Sequence, residues 1–322
     1  MCNFETFANS KDGIMTNLYE STQSKEHRRS NGVHYTSVSD IMKIVGPCIL
    51  EAWEEGTDLQ TYTVLDPACG TGNFLDVAYE ELSKKGDYPK ANLIGIELDP
   101  EAAKIAAAKG YTILQGDALA MKWPDASVII GNPPYIGCKQ ILGAKGDEYI
   151  KWLRSRFKGH NRMADYCTYW FAKILEDARP GIRVGLVCTK TISETNSREA
   201  SLDKILEAGG TIFNAISRQK WTGEAAVIVC IVNFVNRGPH QGEKYLDGKK
   251  VSVISSRLKD FEILKPTKLA PNLGIAFLGA MPNGMGFLLD NETALDLIRA
   301  NPENSKVLKR YLRINAEEEA PE

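Results

Sequence analysis

The chain has 322 residues, 43% of them hydrophobic and 25% charged, which is enough for one large or two modest cores. Its formal net charge of −2 excludes a uniformly basic coat for nucleic acid, so any grip on phosphates has to come from local clusters. The seven cysteines stand singly without a Cys-x-x-Cys pair, and neither a run of about 18 apolar residues nor a signal-type apolar start occurs; a reduced cytoplasm is expected, with no disulfide framework, zinc site, membrane span or export.

Residues 1–30 are polar and read as a lead-in, and residues 38–54 show helical spacing behind a Ser or Asp cap. Val64-Leu65-Asp66-Pro67-Ala68-Cys69-Gly70-Thr71-Gly72 then reads as a strand entering a turn, with helical spacing from there through Leu82. Its glycines would let backbone approach a ligand closely. Two further strands end in acids, Leu93-Ile94-Gly95-Ile96-Glu97 and Ile113-Leu114-Gln115-Gly116-Asp117. In an open α/β sheet ligands bind outside the carboxyl ends of strands, where a carboxylate can hold ribose hydroxyls.

The fourth strand, Ser127-Val128-Ile129-Ile130, runs into Gly131-Asn132-Pro133-Pro134-Tyr135, the most informative segment of the chain. The N6 lone pair of adenine is delocalised into its ring, so the amine is a poor nucleophile until its two hydrogens are drawn out of plane. The side-chain oxygen of Asn132 and the carbonyl of Pro133 could each accept one. Pro133 and Pro134 lack donors and fix φ, which holds the turn open, and Tyr135 offers a face on which a base can lie. Taken alone, Asn-Pro-Pro is also an ordinary strand-ending turn.

Beyond this turn, Lys151, Arg154, Arg156, Lys158 and Arg162 form a basic cluster, read either as a solvated face or as a phosphate grip. Residues 166–177 read as a helix, 183–188 as a buried strand, 201–208 as a helix, and 212–216 with 227–234 as closing strands. Repeated strand–helix units argue a doubly wound, mostly parallel sheet, and the long helix-free loop between the last two strands allows them to pair antiparallel. Residues 238–250 are a polar, Gly-bearing boundary. Residues 251–322 hold two short strand candidates, a turn at 281–287, a helix near Asn291–Ala300 and an acidic tail.

The set Asp-Pro-Ala-Cys-Gly-Thr-Gly-Asn-Phe, Gly-Ile-Glu-Leu-Asp, Gly-Asp-Ala-Leu and Asn-Pro-Pro-Tyr, in that order, resembles the gamma class of amino-group DNA methyltransferases that use S-adenosylmethionine (AdoMet), and within it the methyltransferase part of MmeI-like, type IIG-related restriction-modification enzymes. The resemblance spans roughly residues 28–290. It implies a seven-stranded, Rossmann-like class I methyltransferase sheet, with a catalytic domain over 31–240 and a C-terminal extension over 241–322. It further implies that Tyr35 and Thr36 contact the methionine end of the cofactor, with Asp66, Ala68 and Gly70 around the sulfonium and carboxylate. Glu97 would accept from the ribose, Asp117 from the cofactor's adenine amine, and Leu98 and Leu119 would pack on that ring. Asn132, beside the cofactor, and Pro133 would grip the target amine while Tyr135 and Trp221 sandwich a base flipped out of double-stranded DNA. No metal is implied.

Two departures stand out. Too little chain follows Phe234 for a full target-recognition region, and residues 1–30 carry no nuclease pattern, so a fragment of a longer protein, a truncated gene product and a subunit that borrows specificity from a partner are all open readings. Asn-Pro-Pro-Tyr also serves N4-cytosine, RNA and protein-glutamine methylation, and a truncated AdoMet-binding subunit fits the same motifs; the product stays open at this point.

Overall fold

The structure, a computed structural model, describes residues 36–220, 228–262, 286 and 288–310. The expected lead-in, Tyr35, Trp221, the 281–287 turn apart from Gly286, and the acidic tail lie outside the described residues. Ser37 starts the first helix, α1 (Val38–Val45), by accepting from the Asp40 N–H. Pro47 lacks a donor, and the helix widens into a π turn over Gly46–Leu50 instead of running to residue 54.

A strand–helix alternation follows: β1 (Val64–Asp66), α2 (Asn73–Ser83), β2 (Leu93–Glu97), α3 (Pro100–Ala108), β3 (Thr112–Gln115), β4 (Val128–Gly131), α4 (Ile141–Arg156), α5 (Thr168–Asp177), β5 (Arg183–Thr189), α6 (Thr195–Ala200), α7 (Leu202–Glu207), β6 (Thr211–Lys220) and β7 (Ile228–Val235). The strands form one sheet in the order β3-β2-β1-β4-β5-β7-β6, extended by β8 (Lys244–Leu246) and β9 (Lys249–Val251). Pairing is parallel from β3 to β5, and β7 runs antiparallel to both β5 and β6. The sheet is doubly wound and mostly parallel, as expected, and among the described residues it has nine strands rather than seven. The extra pair is a hairpin inside the stretch read as a boundary. Asp247 and Gly248 both take positive φ (52° and 76°), the backbone that a two-residue hairpin turn of the right twist requires.

Why the central strands read as unbroken apolar runs is clear from the core. Alternate residues of β4 enter opposite layers: Ile129 joins one cluster with Leu65, Phe171 and Ile174, while Val128 and Ile130 join another with Val64, Ile44 and Leu75. Both faces of the sheet are covered, so neither needs polar residues. On β5, Gly185 permits close approach of α1 and the π turn, since a Cβ there would lie 2.5 Å from Ile44 and 2.9 Å from the Cys48 sulfur. The chain divides into two units, one ending at Leu264 and one from Lys265. In the second, Asp290 caps α8 (Asn291–Ala300) by accepting from the Thr293 N–H at 2.8 Å. No strand follows Val251 among the described residues, with 263–285 lying outside them. No helix among those residues is long and apolar enough to cross a membrane.

Candidate active site

Strand order decides what meets. β1 lies between β2 and β4, and all three run parallel, so Asp66, Glu97, Asp117 and Asn132 emerge at one edge of the sheet, with the reversal of strand order between β1 and β4. Contact between β1 and β4 is intimate. A Cβ on Gly131 would stand 2.6 Å from the Asp66 Oδ1, so only glycine fits immediately before Asn132.

The turn after β1 is stitched from several sides. Asp66 Oδ1 accepts from the Ala68 N–H at 3.0 Å, Trp170 Nε1 donates to the Pro67 carbonyl at 3.2 Å, and the Gly70 N–H donates to Glu97 Oε2 at 2.8 Å. Gly70 and Gly72 take φ of 54° and 94°. A Cβ on Gly70 would meet nothing within 4 Å, so this stretch of backbone borders open space that a ligand could fill, just before the N-terminus of α2.

The three acids differ. Glu97 Oε1 accepts from the Asp99 N–H at 2.7 Å, so each of its oxygens holds one backbone donor; burial pushes its carboxyl up against those two hydrogen bonds. Asp117 Oδ1 accepts from the Leu119 N–H and Oδ2 from the Tyr149 hydroxyl, at 2.8 and 2.7 Å. Asp66 is buried, and its Oδ2 has no hydrogen-bond partner among the described residues. Burial pushes the Asp66 carboxyl up to about 8, with the Ala68 N–H opposing and the charge of Glu97 adding to the rise.

Asn132 is held by both ends of its amide. Nδ2 donates to the Thr36 hydroxyl at 3.1 Å, and the Tyr135 hydroxyl donates to Oδ1. Thr36 thus contacts Asn132. The Tyr135 ring packs partly against the core cluster that holds Val229 and Phe213, and burial pushes its phenol well up. Pro133 is buried and Pro134 half-buried. Of the remaining expected residues, Leu98 is 54% exposed beside the β2 tip, Leu119 is fully buried in the core, and Ala68 is half-buried. In the basic cluster, Lys151 pairs with Glu148 and Arg156 with Glu176, while Arg154, Lys158 and Arg162 are exposed. At the β6 and β7 ends flanking residues 221–227, Arg218, Gln219, Lys220 and Ile228 line a concavity of about 380 Å³.

Sequence reasoning missed the supports of this site. Asp165 is buried, accepts from the Cys138 N–H at 3.2 Å and from the hydroxyls of Thr189 and Thr191, and so ties the segment after Tyr135 to the end of β5. Asp165 directly precedes, and Tyr166 begins, the segment read only as a helix, and their spacing gave no local signal. Tyr149 likewise sits within a helix, 32 residues from Asp117.

Residues 105–246 match the family described as MmeI, DNA-methyltransferase domain. DNA methyltransferase A of Bacillus subtilis (strain 168) is 27% identical over 387 aligned residues, which cover 93% of this chain and 43% of the relative. Modification methylase CviBIII of Paramecium bursaria Chlorella virus NC1A is 23% identical over 243 residues, covering 74% of this chain and 59% of the relative. The solved structure of the type IIL restriction-modification enzyme MmeI in complex with DNA shares the fold at a TM-score of 0.67 and 24% identity, over 91% of this chain and 50% of that one. The chain therefore spans about half the length of the relatives that it matches.

Proposed function

From the premise that this chain resembles the methyltransferase part of MmeI-like restriction-modification enzymes, we propose that it transfers a methyl group from AdoMet to the N6 amine of an adenine flipped out of double-stranded DNA, as part of a cytoplasmic restriction-modification or related defence system. The observation that carries this reading is the junction of β1 and β4: Asn132 emerges one residue after a glycine whose missing Cβ makes room for Asp66, which keeps a buried, unpartnered oxygen.

The residues present fit AdoMet. Asp66 offers a buried acceptor to a cationic ligand, the Gly70 turn an open backbone, and Glu97 and Asp117 fixed acceptors for ribose hydroxyls and an adenine amine. Tyr35, Thr36, Ala68, Leu98 and Leu119 complete the proposed cofactor set, and Asn132 stands beside the cofactor on the substrate side. When bound, AdoMet supplies a methyl group on a positively charged sulfur. Asn132 Oδ1, which has a second lone pair beside the one that Tyr135 uses, and the Pro133 carbonyl accept the two amine hydrogens and restore a tetrahedral nitrogen. Tyr135 and Trp221 stack on the base, returning about 1–3 kcal/mol per contact against the cost of unstacking. Lys151, Arg154, Arg156, Lys158 and Arg162 lie beyond the catalytic turn as phosphate contacts, and a separate specificity subunit is a candidate partner.

The test is methyl transfer from labelled AdoMet to duplex DNA, structured RNA and protein, with nucleoside analysis of the product. N6-methyladenine in duplex DNA is expected. Label in N4-methylcytosine, RNA or protein would overturn the adenine assignment, and AdoMet binding without transfer to any DNA would mark a subunit that needs a partner.

A further inference from the structure

Asp117 is gripped from two directions. The Leu119 N–H is a local, two-residue turn contact on Oδ1. The other grip is long-range: the hydroxyl of Tyr149, on α4, lies 2.7 Å from Oδ2 and 2.6 Å from the hydroxyl of Tyr166. A carboxylate oxygen accepts, so Tyr149 gives its single proton to Asp117, and the Tyr166 hydroxyl must then be the donor to Tyr149. The direction of the whole relay is thereby fixed, running from Tyr166 through Tyr149 to Asp117.

Its members are held by packing. Ile150 and Leu153 are buried and anchor this part of α4, the Tyr149 ring lies 5.2 Å from that of Trp152, and Tyr166 is buried with its ring edge-on to Trp170 at 5.3 Å. With one donor on each oxygen, one local and one from α4, rotation of the Asp117 carboxylate is restrained. One acceptor site remains on each oxygen, at a set angle.

We propose that Tyr149, held by Tyr166, is a positioning residue that aims the Asp117 carboxylate and so sets selectivity for a 6-aminopurine at the cofactor's base. The inference rests on the reading of Asp117 as acceptor for the adenine amine of AdoMet. Without the Tyr149 hydroxyl the carboxylate keeps only its local turn contact and swings about it, and a base that carries a 6-oxo group, an acceptor facing an acceptor, is rejected less sharply.

Calorimetric binding of S-adenosylhomocysteine and S-inosylhomocysteine, which differ in the 6-substituent and in the proton that the 6-oxo base carries on N1, tests it. The wild-type chain should favour the adenine compound by about tenfold or more, and Tyr149→Phe should cut that ratio by about threefold or more, mainly by weakening the adenine compound. Tyr166→Phe, which removes only the hydroxyl that holds Tyr149, should move the ratio the same way by less, and serves in place of Tyr149→Phe should that variant not fold. A melting temperature is measured alongside, because a purely structural role would shift it and leave the ratio alone. An unchanged ratio in a folded Tyr149→Phe or Tyr166→Phe overturns the proposal. Wild-type chain that binds both compounds equally would instead overturn the role of Asp117, and chain that binds neither would overturn the AdoMet reading itself.

Discussion

At the β2 and β3 tips, all four carboxylate oxygens of Glu97 and Asp117 accept a hydrogen bond from the protein. At the β1 and β4 tips, a few residues away, Asp66 keeps a buried oxygen without a partner among the described residues, and Asn132 is tied through Thr36 and Tyr135. The first region is finished before any ligand arrives, which suits recognition of neutral hydroxyl and amine donors by acceptors set in place. The second carries an unbalanced acid, which suits a ligand that brings its own positive charge, next to a rigid amide that can act on a second molecule.

The largest expected effect breaks this division on its reactive side. Asn132→Ala removes an acceptor for the target amine while leaving the acids of both regions, so methyl transfer should fall by at least about a hundredfold to a thousandfold, with AdoMet affinity held within about threefold. A parallel fall of both in filter-binding and transfer assays would move Asn132 to the cofactor side.

Asp66 sharpens the contrast through pH. Its folded carboxyl, pushed up to about 8 from an ordinary 3.8, keeps a proton that the unfolded chain releases from about pH 4 upward. Stability therefore falls as pH rises between about 4 and 8 and levels off above, by an amount on the order of a few kcal/mol at most. Asp66→Asn, which cannot ionise, should flatten that slope, and so should bound AdoMet if its positive charge sits against Asp66. Melting curves of both chains at pH 5 and pH 8 decide: equal losses would show that Asp66 is not the group responsible.

Next in size is Gly131→Ala. The added methyl meets Asp66 Oδ1 at 2.6 Å and must displace a buried side chain, costing about 1–3 kcal/mol and weakening AdoMet binding with it. Gly143→Ala is the matched control: it adds a methyl in α4 with nothing within 4 Å and should be neutral or stabilising by about 0.5–1 kcal/mol. Thermal unfolding that ranks the two variants the other way would remove the claim that β1 and β4 meet so closely.

The tips were legible because each is local: an apolar run ends and a polar residue follows within two positions, as at Leu65-Asp66, Ile96-Glu97 and Ile130-Gly131-Asn132. The strands' burial on both faces was legible for the same reason. What joins the tips was not, since Thr36 meets Asn132 across 96 positions, and Gly70 meets Glu97 across 27. The β8–β9 hairpin was hidden differently. Its Asp247-Gly248 turn signal was present, but Lys244, Lys249 and Lys250 around it erase the apolar period by which a strand is normally seen. The π turn at Pro47 was foreshadowed by the proline alone.

The smallest effect concerns DNA, and it depends on which cations near α4 are already matched. Lys151 lies 3.0 Å from Glu148 and Arg156 2.5 Å from Glu176, whereas Arg154 and Lys158, exposed as Lys151 is, make no ion pair among the described residues. Phosphate contact by a cation that must first leave a carboxylate gains less than contact by one facing water. Arg154→Gln with Lys158→Gln should therefore weaken duplex binding several-fold and lower the slope of log affinity against log salt by about one per lost contact, independent of DNA sequence. Lys151→Gln with Arg156→Gln should change the slope by less than half as much. If the two pairs shift it equally, position beside the Asn-Pro-Pro-Tyr turn counts for more than the ion pairs do, and the whole basic face takes part.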